Sequence, residues 1–296
     1  MIRSLLCLSL IVAALFADSQ KAPLPALTAP SGSGLACTPP RGWVADSKSD
    51  EKALRRLADA LVSSGLRDAG YTYILLDDGG PGEQSTEGPR HLNARFPNKE
   101  ALESYLHSKG LKLGLMSAPG RRACDGFPEA LKHGDREPPT SPDRPGLYDS
   151  NLVPIDIGSS TETARLRTEI TLRAILAAPV FVRGRIDKMP PPVREMLSHP
   201  EVIAIHNDPL RRQGYREWQD GHREVWVRRL ASGDWAVALV NRGTAPARVS
   251  VTWGELKLYG SLPVRDVWAR RNLGQFVDAY TAEVPAGGAV LLKVMK

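Results

Sequence analysis

Cysteine is scarce in this 296-residue chain, which has only Cys7, Cys37 and Cys124. Cys7 lies in an N-terminal apolar run, so two remain for the body of the protein. In an oxidising compartment Cys37 and Cys124 can pair, but two cysteines do not make a disulfide framework. Other absences exclude whole classes of chemistry. His91, His107, His133, His199, His206 and His222 show no HExxH or other close metal-ligand spacing. There is no GxSxG elbow, Walker loop or dinucleotide GxGxxG. Isolated histidines of this kind are ordinarily surface or satisfied polar residues. No Asn-x-Ser/Thr acceptor occurs, so N-glycosylation is not expected. Past the N-terminal run no stretch is apolar for long enough to span a bilayer.

That run reads as a secretory leader over residues 1–17. Met1-Ile2-Arg3 opens it, an apolar stretch from Leu5 to Phe16 is broken by Ser9, and Ala17 precedes Asp18-Ser19-Gln20. The mature chain is therefore expected outside the cytoplasm, secreted or lysosomal. Lys and Arg number 39 against 33 Asp and Glu, a net of +6 that falls to +5 without Arg3. The basic residues are scattered in pairs and form no tract, which argues for solvated surface and against a nucleic-acid partner.

What the sequence does have is organised around Tyr71–Gly80, YTYILLDDGG. Its apolar, β-favouring residues predict a strand buried on both faces that ends at Asp77 and Asp78. Neighbouring residues on a strand point to opposite faces, so these carboxylates cannot act side by side as an acid/base pair. Read from the residues alone, a polar turn and a functional strand end both remain open.

Around this strand, residues 18–36 read as a Pro/Ala/Ser/Gly-rich linker. Ser49–Leu66 predicts an amphipathic helix, with Ser49 or Asp50 as cap and Leu54, Leu57, Ala58, Leu61 and Val62 at helical spacing. A helix at Asn98–Ser108 and a strand at Leu111–Met116 follow, a β/α alternation that argues for a parallel sheet. From Ala118 to Gly146 six prolines break the rhythm. Order returns with a helix about Glu162–Leu176, a strand at Pro179–Arg183, a Pro-led helix around Pro191–Ser198 and a short apolar segment, Val202–Ile205. Beyond Pro209, alternating runs at Glu224–Arg229, Trp235–Val240, Arg248–Trp253, Val264–Trp268 and Ala289–Val294 predict a small antiparallel β-sandwich.

Several of these stretches resemble glycoside hydrolase family 27, the α-galactosidases and α-N-acetylgalactosaminidases. Thr38-Pro39-Pro40-Arg41-Gly42-Trp43 resembles the family's opening TPPMGW, and Leu76-Asp77-Asp78 its IDD strand end. His107–Gly114 is close to HSKGLKLG. Ala177-Ala178-Pro179, Glu201–Ile205 and Asn207-Asp208-Pro209-Leu210 resemble AAPL and VIAINQDPL. The resemblance covers roughly residues 37–117 and 160–294. It implies a (β/α)8 barrel followed by an antiparallel β-domain, acting on terminal α-galactosides by a retaining mechanism. Such a mechanism needs two carboxyl groups about 5–5.5 Å apart and no metal or cofactor. The resemblance also assigns Asp77 and Asp78 to sugar hydroxyls and admits a homodimer.

Departures from the family pattern are concentrated in one place. A TIM-type barrel typically takes about 250 residues, and the interval Cys37–His206 falls well short of that. The shortage lies between the third strand and the penultimate helix, where the family carries its nucleophile strand and its acid/base motif. No counterpart of the acid/base motif is present. Leu147-Tyr148-Asp149-Ser150-Asn151 resembles either the nucleophile strand end, with Asp149 as nucleophile, or an eroded WNDPDML, the family's later substrate loop. Family positions elsewhere are held by Asp46, Gly79, Met116 and Ala118 in place of Trp, Cys, Tyr and Asp. Cys124 matches a family cysteine whose partner is lost, which leaves it orphaned or bonded to Cys37. The expected architecture is α/β: a truncated TIM-type (β/α) barrel over residues 37–208 and a C-terminal β-sandwich over 209–296. Losing three βα units would leave its parallel sheet with two open edges. The expected alternative to a glycosidase is a catalytically inactive, carbohydrate-binding relic or a truncated variant.

Overall fold

The computed structural model describes residues 38–46, 48–77, 96–116, 154–158 and 163–296. Apolar, β-favouring runs give five parallel strands: β1 (Arg41–Ala45), β2 (Tyr71–Asp77), β3 (Lys112–Met116), β4 (Ile155–Asp156) and β5 (Val180–Arg183). Their order across the sheet is β3-β2-β1-β5-β4. The first three strands step outward from β1 in one direction and the last two in the other. Among the described residues this is the order of a barrel without its middle strands. Among the described residues β3 and β4 stand at the two edges and do not meet.

Strand alternation sets the burial. Trp43 and Ala45 face the helices in the main core, whereas Val44 joins Leu75 and Phe181 on the opposite face. Ile74 and Leu76 likewise oppose Leu75, so β2 is buried on both faces as its sequence predicts. Gly42 is required at the β1–β2 seam, because a Cβ there would lie 2.4 Å from the carbonyl oxygen of Tyr73. Helix α1 (Glu51–Ser63) starts where Asp50 accepts the backbone N–H of Ala53 at 2.7 Å, and it buries Leu54, Ala58 and Leu61. Helix α2 (Lys99–Ser108) is capped in the same way by Asn98 and buries Leu102 and Leu106.

Helix α3 (Thr163–Leu176) differs from both in being buried on nearly every side, Thr168, Thr171 and Arg173 included. It is sandwiched between the parallel sheet and the C-terminal domain. After β5 come a 3-10 turn (Ile186–Lys188) and two short helices, α4 (Pro191–Leu197) and α5 (Pro200–His206). Each helix has proline in its first turn, where the missing N–H costs nothing. The apolar segment Val202–Ile205 lies inside α5.

The C-terminal part comprises β6 (Tyr215–Asp220), β7 (Arg223–Arg229), β8 (Trp235–Asn241), β9 (Ala247–Thr252), β10 (Ser261–Asp266), β11 (Arg271–Val277), β12 (Ala279–Val284) and β13 (Ala289–Val294). Six strands form one antiparallel sheet, β11-β10-β13-β8-β7-β6, and β12 pairs with β9 in a second. Val225, Val227, Val237, Leu239, Val249, Val251 and Trp253 fill the space between the two sheets. The other face of the large sheet presents Trp226, Ala236, Ala238, Val240 and Leu291 to the same core that holds α3. Three strands escape the sequence pattern, β6, β11 and β12, because their residues are mostly half-buried or exposed. Among the described residues no helix is long and apolar enough to cross a membrane.

Candidate functional site

All five parallel strands end on one side, and in sheets of this kind ligands bind beyond those C-terminal ends. The ends carry Asp46 after β1, Asp77 on β2, Met116 on β3, Asp156 on β4 and Arg183 on β5. Asp77 is the last residue of β2, in register with Met116. Asp78, Asp149, Cys37 and Cys124 lie outside the described residues. Asp156 and Arg183 are cross-strand register partners of opposite charge, and Asp156 also accepts the backbone N–H of Gly158 at 2.7 Å. Toward the other end of that face, the Lys112 ammonium lies 5.3 Å from the centre of the Tyr73 ring.

Beside this mouth an open cleft of about 420 Å³ runs between α1 and the loop after β5. Asp46, Ser49, Arg56, Arg185 and Asp187 line its polar side. Its position is fixed by the Trp43 indole N–H, which donates to the carbonyl of Gly184 at 2.9 Å. Arg185 and Asp187 form an ion pair that holds the Asp187 carboxyl below its ordinary range. Among the described residues no group of three His, Cys, Asp or Glu side chains converges as a metal site.

Behind the sheet the polar residues are buried and committed to partners. Arg41 stands where the family motif has methionine, yet it is 5% exposed, with its guanidinium 6.0 Å from the centre of the Tyr71 ring. Desolvation pushes its pKa down. Burial drives the Tyr71 hydroxyl strongly upward, and that hydroxyl donates to the carbonyl of Leu197 at 3.1 Å. Arg228, from β7, donates to the carbonyls of Ala174 and Ile205, both at 2.7 Å, and of His206 at 3.3 Å. It thereby caps the C-terminal ends of α3 and α5 together, where cations are favoured. Burial lowers its pKa to about 10. His206 is pushed down to about 3, chiefly by burial and then by the nearby Arg41 charge. The satisfied role expected of isolated histidines is the one that His199 and His206 have. The structural importance of Arg41, Arg173 and Arg228 was missed, although each interrupts an apolar stretch, which is the one sequence signal of a buried charge.

Residues 45–143 match the family described as Alpha galactosidase A, and residues 220–294 match the Alpha galactosidase C-terminal beta sandwich domain. A probable alpha-galactosidase of Dictyostelium discoideum is 24% identical, over 88% of this chain and 93% of the relative. An alpha-galactosidase of Coffea arabica is 28% identical, over 86% and 92%. The Dictyostelium alignment runs over 358 residues, more than this chain possesses, so the relative carries internal residues with no counterpart here. The crystal structure of alpha-galactosidase I from Mortierella vinacea superposes with a TM-score of 0.70 at 21% identity, covering 89% of this chain and 98% of that one. Its likeness extends to the fold, a barrel followed by a β-sandwich.

Proposed function

We propose, on the premise that this chain belongs to the α-galactosidase family of glycoside hydrolases, family 27, that it recognises a terminal α-galactoside or a related sugar without efficient hydrolysis. The observation that carries this reading is the strand order β3-β2-β1-β5-β4. Retaining hydrolysis needs two carboxyl groups about 5–5.5 Å apart across the scissile bond. In the family the nucleophile stands on the strand after the third, which would be the neighbour of β3. Here the segment containing Asp149 leads into β4, which pairs with β5 at the opposite edge of the sheet. That order favours the substrate-loop reading of residues 147–151 over the nucleophile reading.

In this proposal Asp77 and Asp78 bind sugar hydroxyls, and the cleft beside α1 borders the same mouth. No role is required of a metal or cofactor. Residues 37–208 form the incomplete barrel domain, 209–296 the sandwich, and the N-terminal leader exports the chain, in keeping with an extracytoplasmic sugar ligand. The test uses the purified chain with p-nitrophenyl α-galactoside, together with thermal melts with and without galactose. The expected result is no turnover and a galactose-dependent rise in Tm that Asp77→Ala abolishes. Turnover lost in Asp149→Asn would restore the hydrolase reading. A cooperative melt that galactose does not shift would remove sugar recognition.

A further inference from the structure

We infer that α5 is an acid-sensitive joint between the parallel-sheet half and the sandwich, fastened by two buried histidine rings, each facing arginine side chains that oppose a positive charge on it. Three sandwich arginines converge on this seven-residue helix. Arg265 binds Glu201 through two hydrogen bonds, of 2.8 and 2.6 Å. Arg228 holds the carbonyls of Ile205 and His206 at the other end of the helix. Arg270 donates its Nε–H to Nε2 of His199 at 3.1 Å. Arg270 keeps a left-handed backbone, with φ of 50°, a conformation unfavourable for a residue with a Cβ. The turn that aims it at the ring is therefore held against local strain.

At the N-terminal end of α5, the His199 ring is 2% exposed and stands edge-on to Trp268 with centroids 5.1 Å apart. An arginine Nε–H can only donate, so Nε2 must keep its lone pair. Nδ1 faces the backbone N–H of Val202 at 3.4 Å, a second group that can only donate. A proton on Nε2 expels Arg270, although the Trp268 backbone, which also hydrogen-bonds His199, favours the charged ring. Of the other charges around the ring, Glu195 and Arg167 line the small cleft of about 100 Å³ beside it, and Glu201 is committed to Arg265. Desolvation and the Arg270 charge hold this ring's pKa below its ordinary value.

At the C-terminal end, Nε2–H of His206 donates to the carbonyl of Ala178 at 2.7 Å, and Nδ1 lies 3.1 Å from the side-chain oxygen of Asn207, an acceptor for a protonated Nδ1. A second proton there makes an imidazolium in a site 2% exposed, beside the guanidinium groups of Arg41 and Arg228. The carboxylate of Asp208 lies toward Arg228 and holds the backbone N–H of Ala231. Acid therefore opposes a sandwich contact at both ends of one helix. Opening the joint exposes the rings, which then take up protons at their ordinary pKa of about 6.5.

The test is hydrogen exchange on the full chain at pH 7.5 and 5.0, corrected for the intrinsic rate. Each ring protonated on opening multiplies the opening equilibrium by about 30 at pH 5.0. Protection in residues 200–206 should fall about 30-fold through His206, and protection in residues 267–271 should fall with it. Protection of α1 should fall less than threefold. His206→Gln should remove the factor of about 30, and His199→Asn, which keeps a capping oxygen, should make the fall smaller than in the wild type. A wild-type change below threefold in residues 200–206 would overturn the joint. NMR titration of the imidazoles supplies a reading that needs no folded variant. The His206 ring should show no titration between pH 8 and 6, and an ordinary titration of that ring near pH 6.5 would refute the inference.

Discussion

The two sides of the parallel sheet contrast sharply. On the side toward the sandwich, α3 and α5 are welded to β7, β10 and the loops around them. The bonds include Arg228 on three carbonyls, Arg265 on Glu201, the Trp268 indole N–H on Thr171 at 2.9 Å and the Thr168 hydroxyl on the carbonyl of Gly287 at 2.9 Å. On the side of the strand ends, Asp46, Asp187 and Arg185 are tied, among the described residues, to near neighbours in the chain. Residues 177–179 and 201–210, which resemble motifs of the α-galactosidases, lie on the bonded side. The residues that hold this scaffold together are therefore tied across distant parts of the chain, whereas those described at the strand ends are tied locally.

Breaking the junction should cost most. Arg228→Leu leaves three buried helix-end carbonyls without their donor and should destabilise the chain by roughly 4 kcal/mol, read from urea unfolding. A loss below about 1 kcal/mol would mean that water replaces the guanidinium and the junction is looser than its distances suggest.

Acid attacks the same place. His206 has a folded pKa of about 3 against about 6.5 unfolded, so its neutral form is favoured in the fold. Its contribution is complete above pH 6.5 and is lost as pH falls toward 3. By pH 4 the loss should reach about 3 kcal/mol relative to pH 7, and His206→Gln should flatten that part of the profile.

Gly214 sharpens the comparison at a single atom. A Cβ there would lie 2.5 Å from the carbonyl oxygen of Ile175 and 2.6 Å from that of Val227. Gly214→Ala should cost roughly 2–3 kcal/mol, and its Tm can be compared with that of Gly42→Ala within the sheet. If Gly42→Ala is much the milder, the sheet yields where the junction does not. The smallest effect belongs to the mouth. Asp50→Ala removes one helix cap and should cost about 1 kcal/mol, measured by the same unfolding curves.

Much of this was legible in the residues. The α1 cap at Asp50, the two-faced burial of β2 and the five principal sandwich strands all follow from periodicity and capping chemistry. The motifs on either side of the proline-rich interval carried the family. Strands β6, β11 and β12 were not legible, since a strand that buries little needs no apolar alternation. The helical state of Val202–Ile205 was also hidden, because a four-residue apolar run has no resolvable period. At the candidate site, sequence alone identified Asp77, which stands at a strand end. The buried arginines were illegible for a different reason. Their partners are backbone carbonyls, and a carbonyl has no letter in the sequence.

Gly214 has a consequence for how the chain could be divided. Its backbone N–H donates to the carbonyl of Ile175 at 2.9 Å, so the crossing from one half to the other threads directly over the end of α3. The core on which α3 rests is built from both halves, with Trp226, Val240 and Leu291 on one side and Leu166, Ile170 and Ile175 on the other. A cut at the apparent boundary would therefore yield two fragments with complementary raw surfaces. Removing strands from the far rim of the barrel leaves that shared keel intact, so the length of this polypeptide can change at the rim far more freely than at its centre.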